Sequence, residues 1–134
     1  MATDSIKALR GAVFTALKND ATLLSLVNGV YEYAGETLAY PYVYIDAMQA
    51  EEWSKLGSKG ANVTFTVKIA TRDKDSGKCG DIVARVQGLL HRAALTVTGH
   101  TLQYLRWNDT RLFENGRPNT FEGSVRFGAR LIES

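Results

Sequence analysis

The densest run of chemistry-bearing residues is Asp73-Lys74-Asp75-Ser76-Gly77-Lys78-Cys79-Gly80-Asp81, where alternating carboxylates could surround a hard cation such as calcium. The spacing is wrong for it. An EF-hand loop opening at Asp73 needs glycine where Lys78 stands and a bidentate glutamate where Ala84 stands. The run reads instead as a turn followed by carboxylates near a helix N-terminus, where they interact favourably with the helix dipole. Gly77-Lys78-Cys79-Gly80 also lacks the Gly-x-x-x-x-Gly-Lys-Ser/Thr loop that cradles phosphates. Cys79 with His91 or His100 offers the residue types of a nucleophile and a base. Cys79 falls on an apolar helical face, however, and His91 stands about three turns further along the same helix, so the two cannot meet. A buried structural cysteine is the expectation. One cysteine and two histidines supply neither an internal disulfide nor a zinc set.

The 134 residues suffice for one domain and are too few for two ordinary ones, so a single domain over residues 1–134 is expected. Apolar residues at 45% and charged residues at 22% are globular values, which argues against a disordered, collagenous or coiled-coil chain. A net charge of +2 is too small for a dedicated nucleic-acid binder, although it permits a local basic patch. No apolar run approaches the roughly 18 to 20 residues of a membrane-spanning helix. Met1-Ala2-Thr3-Asp4-Ser5 lacks the basic start and apolar core of a signal peptide, so a cytoplasmic location is expected. Asn62-Val63-Thr64 and Asn108-Asp109-Thr110 match the glycosylation pattern but receive no role on that expectation.

Ile6, Leu9, Val13, Ala16 and Leu17 share one helical face, which predicts a helix over about residues 5–19, capped by Asp4 or Ser5. Asp20-Ala21-Thr22 restarts a short apolar turn over residues 23–27, and Asn28-Gly29 offers a left-handed helix end. Residues 30–33 read as a short strand, 34–40 as a loop before Pro41, and 42–48 as a second strand rich in aromatic and β-branched side chains. Residues 49–60 show no apolar periodicity and read as an exposed connection carrying Trp53. Val63, Phe65, Val67 and Ile69 alternate with more polar residues, the pattern of a central strand.

After a polar turn, Cys79, Ile82, Val83, Val86, Leu89, Leu90 and Ala93 recur at helical spacing. Placing Asp at Leu89 or Leu90 is expected to unfold the domain rather than remove an activity. Thr98-Gly99 turns the chain into a strand over residues 101–108 whose buried face is not decided by its pattern. Asn115-Gly116-Arg117-Pro118-Asn119 marks a hairpin between residues 111–113 and a last strand over 120–132. In that strand Phe121, Val125, Phe127, Ala129 and Leu131 share one face. The order predicts an α+β fold, with two main amphipathic helices on one face of a largely antiparallel, possibly mixed, sheet.

Charge and aromatic character then single out two groups. Glu51, Glu52, Trp53 and Lys55 place a tryptophan among charges, which reads equally as an interface anchor or as a ring folded back over the sheet edge, and Arg117 tips the hairpin. Arg106, Arg111, Arg117, Arg126 and Arg130 concentrate positive charge in the last third, diluted by Asp109, Glu114, Glu122 and Glu133, which reads either as a solvated mixed-charge surface or as one facing protein or DNA.

Leu23-Leu24-Ser25-Leu26-Val27-Asn28-Gly29-Val30-Tyr31, then Tyr40-Pro41-Tyr42-Val43-Tyr44-Ile45, Trp53-Ser54 and Val63-Thr64-Phe65-Thr66-Val67 precede the second long helix. Phe121-Glu122-Gly123-Ser124-Val125-Arg126-Phe127 closes the chain. In order and spacing this succession resembles the tail-completion or tail-terminator family of long-tailed phages and gene transfer agents, across nearly the whole chain. The resemblance implies a small α+β subunit of a hexameric ring that caps the head-proximal end of a tail tube, stops tube growth and joins tail to head. The implied partners are further copies of the chain, the major tail tube protein, a head-completion or connector protein, and DNA passing through without sequence-specific binding. No membrane, cofactor, metal or catalytic residue is implied. The implied place is the tail-head joint of a virion assembled in the host cytoplasm. A head-completion or adaptor protein on the portal side is the alternative. A ring needs self-complementary sides, for which Glu51, Glu52, Trp53, Lys55 and Arg117 are candidate interface residues. Arg106, Arg126 and Arg130 are candidate channel or subunit contacts.

Overall fold

Leu9, Val13 and Leu17 recur every four residues and are fully buried, which commits the first segment to helix α1 (Ala2–Lys18). The computed structural model describes residues 2–32, 39–55, 57–73, 77–114 and 116–133. α1 starts earlier than expected, so Ser5 is no cap: it lies within the helix, buried, with its Oγ 3.3 Å from His100 Nε2. Asp20 caps α2 (Ala21–Leu26) by accepting the Leu23 N–H. The expected left-handed end at Asn28-Gly29 does not form. Val27 is extended at φ −129 and ψ 158, and Gly29 opens strand β1 (Gly29–Tyr31). The cause is a clamp from across the chain: the Asn28 N–H donates to the Pro41 carbonyl at 2.7 Å, and its side-chain amide donates to the Tyr40 carbonyl.

The connection expected over residues 49–60 is instead sheet. Strand β2 (Tyr42–Lys55) continues past its apolar start, and β3 (Ser58–Arg72) begins three residues later, with Gly57 at φ +80 between them. Glu51 to Lys55 pair with Asn62 to Ser58, so cross-strand pairing overrides the weak local propensity of this polar stretch. A register shift between Ile45 and Met48 keeps Met48 and Ala50 on the same side as Val43 and Ile45. Helix α3 (Gly77–Leu90) carries the apolar stripe, with Ala93 beyond its end. Leu90 is fully buried and Leu89 only half-buried. Strand β4 (His100–Glu114) runs through Asp109 without a break and returns through a turn into β5 (Thr120–Glu133). The loop expected over residues 34–40 and the turn residue Asn115 fall wholly or partly outside the described residues.

The strand order is β1-β2-β3-β5-β4, antiparallel except for β1, which runs parallel to β2. The sheet is therefore mixed, with β3 central as expected. Three helices are found among the described residues, the short α2 joining the two long ones. Val63, Phe65, Val67 and Ile69 of β3 and Val125, Phe127, Ala129 and Leu131 of β5 are buried on one face with α1 and α3. Phe65 and Phe127 stack at 5.4 Å between ring centroids. Burying each large aliphatic side chain contributes about 1.5 to 3 kcal/mol, and this core fixes the opposite sheet face in space. No helix among the described residues is long and apolar enough to cross a membrane.

Candidate assembly surface

Strand alternation places every second residue on the face away from the helices. The register aligns Glu51, Asn62, Arg130 and Tyr104 in one row across four strands, and Tyr44, Lys68, Ser124 and Arg111 in another. No helix packs on this face among the described residues.

The three candidate arginines do converge here, and each meets a partner. Arg130 Nε donates to Asn62 Oδ1 at 2.9 Å, while its guanidinium carbon lies 4.2 Å from the Trp53 ring centroid and 5.2 Å from that of Tyr104. Arg106 covers Tyr104 at 4.2 Å. Arg126 donates to and ion-pairs with the Asp109 carboxylate. Stacking a planar guanidinium on an aromatic face is worth about 0.5 to 1 kcal/mol at exposed sites. At the other end of the face Tyr42 and Tyr44 lie 6.0 Å apart, and burial pushes the Tyr44 hydroxyl up to about 12. Lys68 reaches Asp46 at 3.8 Å. Lys68, Arg106, Arg111, Arg126 and Arg130 are thus answered on the same face by Asp46, Glu51, Asp109 and Glu122. The face is polar, aromatic and nearly charge-balanced.

Glu51 and Glu52 are exposed on β2, and Trp53 is half-buried, folded over Arg130. The Lys55 backbone ends β2, while its side chain lies outside the described residues. Arg117 is exposed in the β4 to β5 turn. That turn adjoins Arg72, paired with Thr120, whereas Trp53 pairs with Gly60, so the structure separates Arg117 from the other four along the length of the sheet. Tyr104, Asn62 and Asp109 complete the surface, and none of the three is a candidate interface residue on the sequence. Alternation marks Asn62 and Tyr104, but Asp109 joins Tyr104 on this face only through the register shift between Trp107 and Asp109.

The nucleophile candidates disperse. Cys79 is fully buried against β5, where burial pushes its thiol up. His91 Nδ1 accepts the Trp107 backbone N–H at 3.0 Å, and His100 lies beside Ser5. Among the described residues no three His, Cys, Asp or Glu side chains converge as a metal site. A groove of about 870 Å3 runs between α1 and the segment before β4, lined by small and apolar residues including Ala8, Gly11, Ala12 and Leu95.

This subunit of three helices and a mixed sheet, whose polar face carries no helix among the described residues, has relatives. The family model described as "Tail completion protein gp17" matches residues 11–132. The chain belongs to this family. As a tail completion family member it is a structural protein of the phage tail, a virion component. A solved structure described as the virion of a native gene transfer agent particle contains a similar chain, at a TM-score of 0.87 and 24% identity over 96% of this chain and 97% of that one. The structure of bacteriophage SPP1 gp17 is similar at a TM-score of 0.57 and 25% identity, covering 90% of this chain and 88% of that one. A third solved chain shares the fold at a TM-score of 0.61 and 12% identity. No curated protein sequence matches.

Proposed function

We propose that the chain, acting as one tail-terminator-like domain over residues 1–134, caps the head-proximal end of a tail tube, ends tube growth and joins tail to head. It works as a ring of copies, a hexamer on the family resemblance, through which DNA passes without sequence-specific contact. The partners are the major tail tube protein on one side and a head-completion protein on the other. The observation that carries this reading is the family match over residues 11–132. The bare sheet face fits a subunit whose polar side lines a passage, because near charge balance lets a polyanion slide rather than adhere. The role is structural and not enzymatic, and Arg106, Arg126 and Arg130 would face the passage or a neighbour. Trp53, with Glu51, Glu52, Lys55 and Arg117, would meet neighbours or the tube.

Negative-stain electron microscopy of particles made with this gene disrupted tests the reading. Filled heads beside unjoined tails of abnormal length are expected. Filled heads with free tails of normal length would move the protein to the portal side as an adaptor, and fully joined infectious particles would overturn both roles.

A further inference from the structure

The two edges of the sheet are finished differently along their lengths. β1 covers β2 only at Tyr42, Val43 and Tyr44. The Arg10 guanidinium then takes the carbonyls of Ile45 at 3.3 Å and Asp46 at 2.9 Å. Beyond that, no strand among the described residues pairs with the outer side of β2 through Lys55. On the opposite edge, β4 is closed in its middle: the Arg92 N–H donates to the Leu105 carbonyl at 2.8 Å and the Trp107 N–H to His91. From residue 108 to Glu114 its outer side has no strand among the described residues. Among the described residues, then, two stretches of edge have no partner strand on their outer side, the C-terminal half of β2 and the C-terminal half of β4. Edges of this kind recruit strands from other chains.

Their chemistry is complementary. The β2 half carries exposed Glu51 and Glu52, and the β4 half carries exposed Arg111. Leu112 is 40% exposed and Trp107 38%, two of the large apolar side chains that the fold leaves in solvent, both on β4. Direction agrees as well. β2, β3, β5 and β4 alternate antiparallel, so a second copy set beside the first in the same orientation brings its β2 antiparallel to β4 and continues the alternation.

We propose that copies of this chain join edge to edge, with the outer side of β2 in one copy adding to the C-terminal half of β4 in the next and Glu51 facing Arg111. This rests on the ring reading and names its contact. Ala50 then lies against exposed Leu112. Because the Glu51 row and the Arg111 row are separated along the strands by roughly 20 Å at about 3.3 Å per residue, each copy is staggered against the last. Stagger with strand tilt is what closing a sheet into a barrel requires. The contact is heterologous and repeats around a closed ring. The helices make the covered side of each subunit the thicker one, so closure turns the bare face toward the lumen.

The test combines mass measurement with thiol cross-linking on the full chain, free and on purified tails. A chain carrying both Glu51→Cys and Arg111→Cys is expected to give a bismaleimide ladder from dimer to closed ring, whereas either single variant gives none. Wild type controls for buried Cys79. Oligomers of wild-type mass without a ladder overturn the edge contact and leave the ring standing. Monomers throughout, on tails as in solution, overturn the ring and the contact with it. Charge exchange supplies a second reading: Glu51→Arg alone should raise the concentration needed for half-assembly about fivefold or more, and adding Arg111→Glu should restore it. A double variant no better than the single one overturns the pairing.

Discussion

Asp20 grips Arg85 through two hydrogen bonds, Nε to Oδ2 at 2.8 Å and Nη2 to Oδ1 at 2.6 Å, while the same Oδ2 accepts the Leu23 N–H at 3.0 Å. One carboxylate thus caps α2 and ties it to α3. The Arg85 hydrogen bond holds Asp20 below the ordinary 3.8. A lowered folded pKa means stabilisation that is full above the unfolded value and lost as pH falls through the folded one. Asp20→Ala should cost about 1 to 2 kcal/mol at neutral pH. In acid titrations followed by circular dichroism, the variant should also lose less stability than wild type below pH 3.8.

Gly123 sits under α3 so closely that a Cβ there would collide with Val83 Cγ2 and touch Cys79 Sγ at 3.4 Å. Gly123→Ala should destabilise by about 1 to 3 kcal/mol in urea unfolding. Gly88, exposed on α3 with open space around it, gives the opposite sign: Gly88→Ala should stabilise by about 0.5 to 1 kcal/mol.

Leu90 is fully buried, whereas Leu89 is half-buried at the rim of the core. Leu90→Asp should abolish cooperative unfolding. Leu89→Asp should leave a folded chain of lowered midpoint, which separates two positions that sequence periodicity treats alike.

Cys79 has no exposed surface, and burial raises its thiol. Its reaction with Ellman's reagent at pH 8 should be undetectable on the timescale of seconds in which free thiols react, and complete in denaturant. Fast labelling of the native chain would contradict the packing of α3 on β5.

Arg130 shields one face of Trp53. In a Trp107→Phe background, Arg130→Ala should increase acrylamide quenching of the remaining tryptophan by about twofold. Arg130→Lys should quench nearly as much as the alanine variant, because an ammonium lacks the planar surface that covers the ring.

The two long helices, β3 and β5 were legible because their apolar residues recur at 3.6 or 2 and those faces are the ones buried. β2 beyond Met48 was not. Gln49, Glu51, Glu52 and Ser54 carry little intrinsic strand preference, and only pairing with Thr64, Asn62, Ala61 and Lys59 makes them strand. Asn28-Gly29 misled for a similar reason, since a hydrogen bond from Asn28 to a residue past the following loop decides its conformation. The arginines were visible as types. Their partners were not, because Asn62 meets Arg130 and Asp109 meets Arg126 through strand registers that no short window encodes. The edges that lack a partner strand among the described residues belong to topology alone.

Arg10 reaches from α1 across the sheet edge to the carbonyls of Glu32, Ile45 and Asp46. Each of those carbonyls already holds a guanidinium N–H, so in the proposed edge contact a strand advancing along β2 toward Tyr42 would meet the Arg10 side chain standing over the ladder. The helix thereby acts as a stop on a ruler: it sets how far an arriving chain can travel, and a slip by two residues in that direction forfeits hydrogen bonds instead of gaining them. In the proposed contact, register along this edge would thus be limited from the side, by a residue belonging to neither strand.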